Sequence, residues 1–186
     1  MSKEFETHPI TIGGVRRDLR LFEVAPGVRI AILNILGDVE LVQAASTALC
    51  EKLAGTAFDV LVTAESKSIP LVHVLSADTG KPYVVLRKTY KVYMGDALKS
   101  ETVSITTGKP QTLYLDEKDR DLIHGKQVVL VDDVISTGST LKAMRKIMEA
   151  AGAEVAADAA VFTEGDPRQW TDVIALGNLP VWVEGD

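Results

Sequence analysis

The run Val128-Val129-Leu130-Val131-Asp132-Asp133-Val134-Ile135-Ser136-Thr137-Gly138-Ser139-Thr140 constrains the fold more than any other part of this chain. Its first half is apolar without alternation, so it predicts a strand over 127–132 that is buried on both faces. Such strands belong to parallel sheets covered by helices on both sides. Two adjacent carboxylates follow, then a loop of hydroxyl residues around one glycine. A helix follows over 140–151, with Leu141, Met144, Ile147 and Met148 on one face and Gly152 closing it. In open α/β sheets, ligands bind beyond the carboxyl ends of the strands. A loop at a helix N-terminus presents backbone N–H groups and the positive end of the helix dipole. Ser136, Thr137, Ser139 and Thr140 add donors, and Gly138 permits close backbone approach. Each piece alone reads as a turn and a helix cap; the whole run directly after a buried strand reads as a phosphate loop. Asp132 and Asp133 repel phosphate and instead suit sugar hydroxyls or a hydrated cation such as Mg²⁺. Phosphate, diol and cation together describe a phosphorylated ribose.

The flanking pattern agrees. Strands are predicted over 28–33, 58–63, 82–86, 113–115, 155–162, 172–176 and 180–183. A helix runs over 38–53 with Asp38 as its cap, and another from Pro70 to about Gly80. The fold class is therefore α/β: a mostly parallel sheet flanked by helices, in one domain over 1–186. Gly13-Gly14 breaks an early extended region, giving a small hood or extension over about 1–36, joined by the C-terminal segment at most.

Composition narrows the function. The 186 residues carry 20 Lys and Arg against 26 Asp and Glu, a net charge of −6, which disfavours nucleic acid as a partner. No apolar run approaches the roughly 18 residues that span a bilayer, and the acidic N-terminus lacks an apolar signal region, so no membrane partner and a cytoplasmic location are expected. One cysteine, Cys50, rules out an internal disulfide and reads as a buried, inert thiol.

The acidic pair and its loop resemble the type I phosphoribosyltransferases. In that family, such a strand and loop bind the ribose diol and 5′-phosphate of phosphoribosyl pyrophosphate (PRPP). The resemblance covers about residues 24–183 and implies the family's fold. It places Asp132 and Asp133 on the ribose hydroxyls and residues Ser136, Thr137, Gly138, Ser139 and Thr140 on the 5′-phosphate. Ala64-Glu65-Ser66-Lys67-Ser68 is similar to the pyrophosphate loop of the purine branches, with Ser68 where a glycine is usual. Arg87-Lys88-Thr89-Tyr90-Lys91 resembles a basic run of adenine and xanthine transferases. The resemblance thus implies pyrophosphate contacts from Glu65, Ser66, Lys67, Ser68, Arg87, Lys88 and Lys91, catalytic roles for Asp132, Asp133, Lys88 and Lys91, and a mobile lid over 88–112. It further implies Mg²⁺ as cofactor, held by PRPP with Asp132 and Asp133, and a homodimer.

The implied reaction transfers 5-phosphoribosyl to a purine base in purine salvage. Position 136 is often Asp in the hypoxanthine/guanine branch, acting near N7 of the base; Ser136 stands there in this chain. Pro26-Gly27-Val28-Arg29-Ile30 is similar to the opening of adenine transferases, so Val28, Arg29 and Ile30, with Glu164, are the expected base contacts and adenine the leading base. Xanthine or another 6-oxopurine, and a PRPP-sensing regulator without catalysis, are the alternatives.

Overall fold

The computed structural model describes residues 5–103 and 110–184. In chain order the elements are β1 (Thr7–Ile12), β2 (Val15–Ala25), β3 (Val28–Ala31), α1 (Val39–Leu53), β4 (Val60–Ala64), α2 (Ile69–Thr79), β5 (Tyr83–Leu86), β6 (Leu98–Val103), β7 (Pro110–Leu115), α3 (Arg120–Ile123), β8 (Gln127–Ile135), α4 (Ser139–Ala150), β9 (Glu154–Glu164), β10 (Val173–Leu179) and β11 (Val181–Val183). The central sheet is parallel, in the order β10-β9-β8-β4-β5. Chain order reverses between β8 and β4, which opens a crevice there.

Strand alternation divides the core between two faces. Leu61, Val129, Val131, Ala159 and Val161 pack with α1, α2 and the hood; Val60, Val62, Val128 and Leu130 pack with α3 and α4. Because both faces are buried, neither strand alternates in polarity. Asp38 caps α1, accepting the Leu41 N–H at 3.1 Å. Arg17 of β2 grips the same carboxylate, with Nε 2.7 Å from Oδ2 and Nη2 2.8 Å from Oδ1. The guanidinium holds the Asp38 carboxyl below its usual range. Asp38→Ala is expected to cost about 1–2 kcal/mol, read as a lower Tm. A depressed carboxyl stabilises above its unfolded pKa, so the gap between variant and parent should close as the pH falls below about 4.

The hood is a four-stranded antiparallel sheet, β1-β2-β3-β11. Gly13 and Gly14 turn β1 into β2 with φ of 53° and 83°, a geometry that suits a twisted hairpin and that few other residues adopt. The sequence suggests an appendage beside the core. In the structure Ile10, Ile12, Leu19 and Ala31 belong to the same apolar cluster as Leu61 and Val129, so the hood shares one core with the sheet. The C-terminal strand does join it.

The expected lid has regular structure in its described part. β6 and β7 pair antiparallel from Leu98↔Leu115 outward, and the hairpin packs on α4. Positions 104–109 of that expectation lie outside the described residues. Cys50 is half-buried, and burial pushes its thiol pKa up, in line with an inert thiol. No helix among the described residues is long and apolar enough to cross a membrane.

Candidate active site

β8 is longer than the sequence suggests. It runs on to Ile135 because β9 keeps pairing with it, through Asp132↔Ala160, Val134↔Phe162 and Ile135↔Thr163. β4 stops pairing at Thr63↔Val131. From Asp132 onward β8 thus has a strand on one side only, and the acidic pair faces the crevice rather than ending the strand.

The loop leaving β4 fills that side. Ser68 Oγ lies 2.8 Å from Asp132 Oδ1 and 3.2 Å from Asp133 Oδ1, and it accepts the Asp133 N–H at 2.9 Å. Lys67 Nζ sits 2.8 Å from Asp133 Oδ2 and donates to the Leu33 carbonyl at 3.2 Å. Burial, and then the negative charge of Asp133, push the Asp132 pKa up to about 7. An acid whose folded pKa is raised loses stability as the pH rises through that value. Asp132→Asn is therefore expected to raise the Tm at pH 8, with the gain shrinking as the pH falls and vanishing only below the unfolded pKa, at about pH 4. The gain should be about 1–2 kcal/mol, below the full linkage value because the residue as a whole keeps partial exposure to solvent.

Glu65 and Ser68 are placed differently from the expected pyrophosphate contacts. The Glu65 carboxylate accepts the Lys88 N–H at 2.7 Å and holds Arg87 Nε through its other oxygen. That pairing raises the Arg87 pKa. Glu65 thus ties the loop after β4 to the basic run after β5, while the Ser68 hydroxyl serves the acidic pair. Lys88 and Lys91 are exposed beside this junction.

Beyond β8, Gly138 has φ 69° and precedes α4. A pocket of about 180 Å³ is lined by Asp132, Ser136, Thr137, Gly138, Ser139 and Thr140, with Gln111 of β7 on its wall. The first turn of α4 faces it, so backbone donors and the helix dipole suit an anion. Sequence reasoning misses Gln111, which sits in a weakly patterned strand.

A second cleft, of about 380 Å³, lies between the hood and the sheet. Val28, Ile30, Lys67, Val134, Ser136 and Glu164 line it. Ser136 is common to both pockets. Its Oγ donates to Glu164 Oε1 at 2.5 Å. Of the four expected base contacts, Arg29 is the exception, because alternation along β3 turns its side chain away to pair with Glu6. Strand alternation alone carries this distinction: if Val28 and Ile30 face the cleft, Arg29 cannot. Trp170, which the sequence reading passes over, donates Nε1–H to the Glu164 carbonyl at 3.2 Å and packs its ring against Gly138.

Among the described residues no group of three or more ligating side chains could hold a metal. The acidic pair still fits Mg²⁺ shared with a substrate: it offers two carboxylates side by side, and among the described residues the only cation now paired with them is the Lys67 ammonium on Asp133 Oδ2. A divalent ion there needs substrate oxygens and water to complete its shell.

The pattern of the phosphoribosyl transferase domain matches residues 31–174. Among curated proteins, the chain is 32% identical over 168 residues to a hypoxanthine/guanine phosphoribosyltransferase of Methanococcus voltae, covering 90% of this chain and 82% of that one. It is 34% identical over 155 residues to the protein of that name from Methanococcus vannielii, covering 83% and 76%. Among solved structures, an adenine phosphoribosyltransferase from Thermoanaerobacter pseudethanolicus superposes with a TM-score of 0.71 at 24% identity, over 86% of this chain and 95% of that one. One from Giardia lamblia, complexed with 9-deazaadenine, gives 0.71 at 20% identity, over 86% and 93%. At such identities the superpositions speak for the fold.

Proposed function

Since this chain belongs to the phosphoribosyl transferase family, in its purine branch, we propose that it moves the 5-phosphoribosyl group of PRPP onto a 6-oxopurine and releases pyrophosphate. The observation that carries this reading is the sharing of Ser136 between a phosphate pocket and an apolar cleft, with Asp132 on the wall of the first and Lys67, the ion-pair partner of Asp133, on the wall of the second. That spacing suits a phosphate, a ribose and a flat base in sequence.

The geometry supports the following roles. Residues Ser136 to Thr140 hold the 5′-phosphate with the N-terminal turn of α4. Asp132 and Asp133 accept the ribose hydroxyls, in place of the Ser68 hydroxyl that now lies between them. Lys88 and Lys91 meet the departing pyrophosphate, on a run that Glu65 anchors through Arg87. Mg²⁺, when bound through PRPP and the acidic pair, would neutralise charge on the leaving group. Fixing both reactants in one crevice supplies much of the rate, because displacement at an anomeric carbon requires no covalent nucleophile.

Two observations favour a 6-oxopurine over adenine, the expectation from sequence. The Lys67 ammonium lines the base cleft and is a donor for a carbonyl oxygen, whereas an exocyclic amino group offers it nothing to donate to. The sequence relatives that cover most of this chain are named for hypoxanthine and guanine. The test is pyrophosphate release from PRPP and Mg²⁺ with hypoxanthine, guanine, xanthine, adenine, uracil and orotate offered one at a time. Turnover with a 6-oxopurine is expected. Turnover with adenine alone would return the reading to the sequence expectation. PRPP binding with no turnover on any base would leave a PRPP-sensing regulator.

A further inference from the structure

A purine attacks through N9 only when N9 offers a lone pair, as in the tautomer that carries the imidazole proton on N7. Once N9 bonds to carbon, the ring is cationic until that proton departs. A carboxylate positioned at the base lowers the barrier to its departure. Among the described residues lining the base cleft, Glu164 supplies the one carboxylate. It is buried, and it is the last residue of β9, in register with Leu179 of β10. The Trp170 indole N–H fixes its carbonyl, and the Ser136 hydroxyl, 2.5 Å away, fixes its side chain. Asp132 lines the phosphate pocket instead.

We infer that Glu164 is the catalytic proton acceptor for the base, and that Ser136 is a positioning residue that aims it. The step balances. The N9 lone pair forms the bond to C1′. The C1′–O bond to pyrophosphate breaks, and its electron pair stays on pyrophosphate. The N7 proton passes to the Glu164 carboxylate and later to water. In the reverse reaction, protonated Glu164 returns a proton to N7. The assignment rests on the purine-transfer reading above.

The test compares the parent enzyme with Glu164→Gln, Glu164→Asp and the double variant Glu164→Gln/Ser136→Asp, in both the forward direction and pyrophosphorolysis of the nucleotide. Glu164→Gln is expected to lower kcat about a hundredfold in both directions while the PRPP Kd stays within about threefold. Glu164→Asp should retain more of the rate than Glu164→Gln. Adding Ser136→Asp should restore at least about tenfold, because a carboxylate there lies one hydrogen bond from the one removed. A packing role would lower the Tm and raise the KM for the base with kcat intact, and the relocated carboxylate would restore nothing; that result overturns the inference. If the parent turns over a purine and Glu164→Gln keeps kcat within about threefold, the inference alone fails. If the parent turns over no purine, the functional reading fails first and takes this assignment with it.

Discussion

Replacing Asp132 and Asp133 together with Asn is expected to cut kcat/KM by about a hundred- to ten-thousandfold and to abolish measurable PRPP binding, with no loss of Tm. Each carboxylate accepts a hydroxyl in a charge-assisted hydrogen bond worth about 1.5–3 kcal/mol, and two such bonds give that range. The fold does not need the charges. Ser68 already has to sit between two like-charged groups, and Asp132 is held well above its ordinary pKa by burial and by Asp133. Two amides relieve that repulsion, so stability should hold or rise while activity goes. Calorimetric titration with PRPP and Mg²⁺ separates the two effects. A double variant that still binds PRPP within about threefold of the parent would remove the ribose role from this pair.

Gly138→Ala should act on both stability and PRPP. At φ 69° an added Cβ strains the backbone, and it would lie 2.9 Å from Trp170 Cη2. The ring has little freedom to retreat, because its N–H is committed to the Glu164 carbonyl. The variant is expected to lose about 1–3 kcal/mol of stability and to raise the KM for PRPP at least about tenfold, as the loop moves off the phosphate. The KM for the base should change much less. Thermal melts and initial-rate kinetics read both. A normal PRPP KM in a folded Gly138→Ala protein would place the phosphate elsewhere.

Most of the central architecture is written in local patterns. The unalternating run at Val128–Val131 declares a doubly covered strand, and Asp38 ahead of Leu41, Val42 and Ala45 declares a capped helix. What escapes is set by contacts distant in sequence. β8 reaches Ile135 because β9 continues beside it, which no pattern within β8 discloses. β6 reads as polar because this strand rests on α4 and, over Leu98 to Glu101, turns alternate side chains to solvent. Glu65 looks like a ligand for pyrophosphate until its partners appear 22 and 23 residues on, at Arg87 and Lys88. Ser136 and Glu164 meet across 28 residues, so their pairing is a property of the sheet. The short opening motif Pro26 to Ile30 points to adenine, whereas Lys67, which lines the same cleft, reads in sequence as part of a different loop.

The register Val181↔Ile30 has a consequence for how the molecule comes into being. The parallel sheet is drawn from one continuous stretch, Val60 to Leu179. The hood closes on a strand that leaves the ribosome after all of it. During synthesis the nascent chain can therefore complete its phosphate pocket while the wall that Val181 gives the base cleft is still in the exit tunnel. The order of translation assembles the pocket at the start of α4 before Val181 closes the last wall of the second cleft.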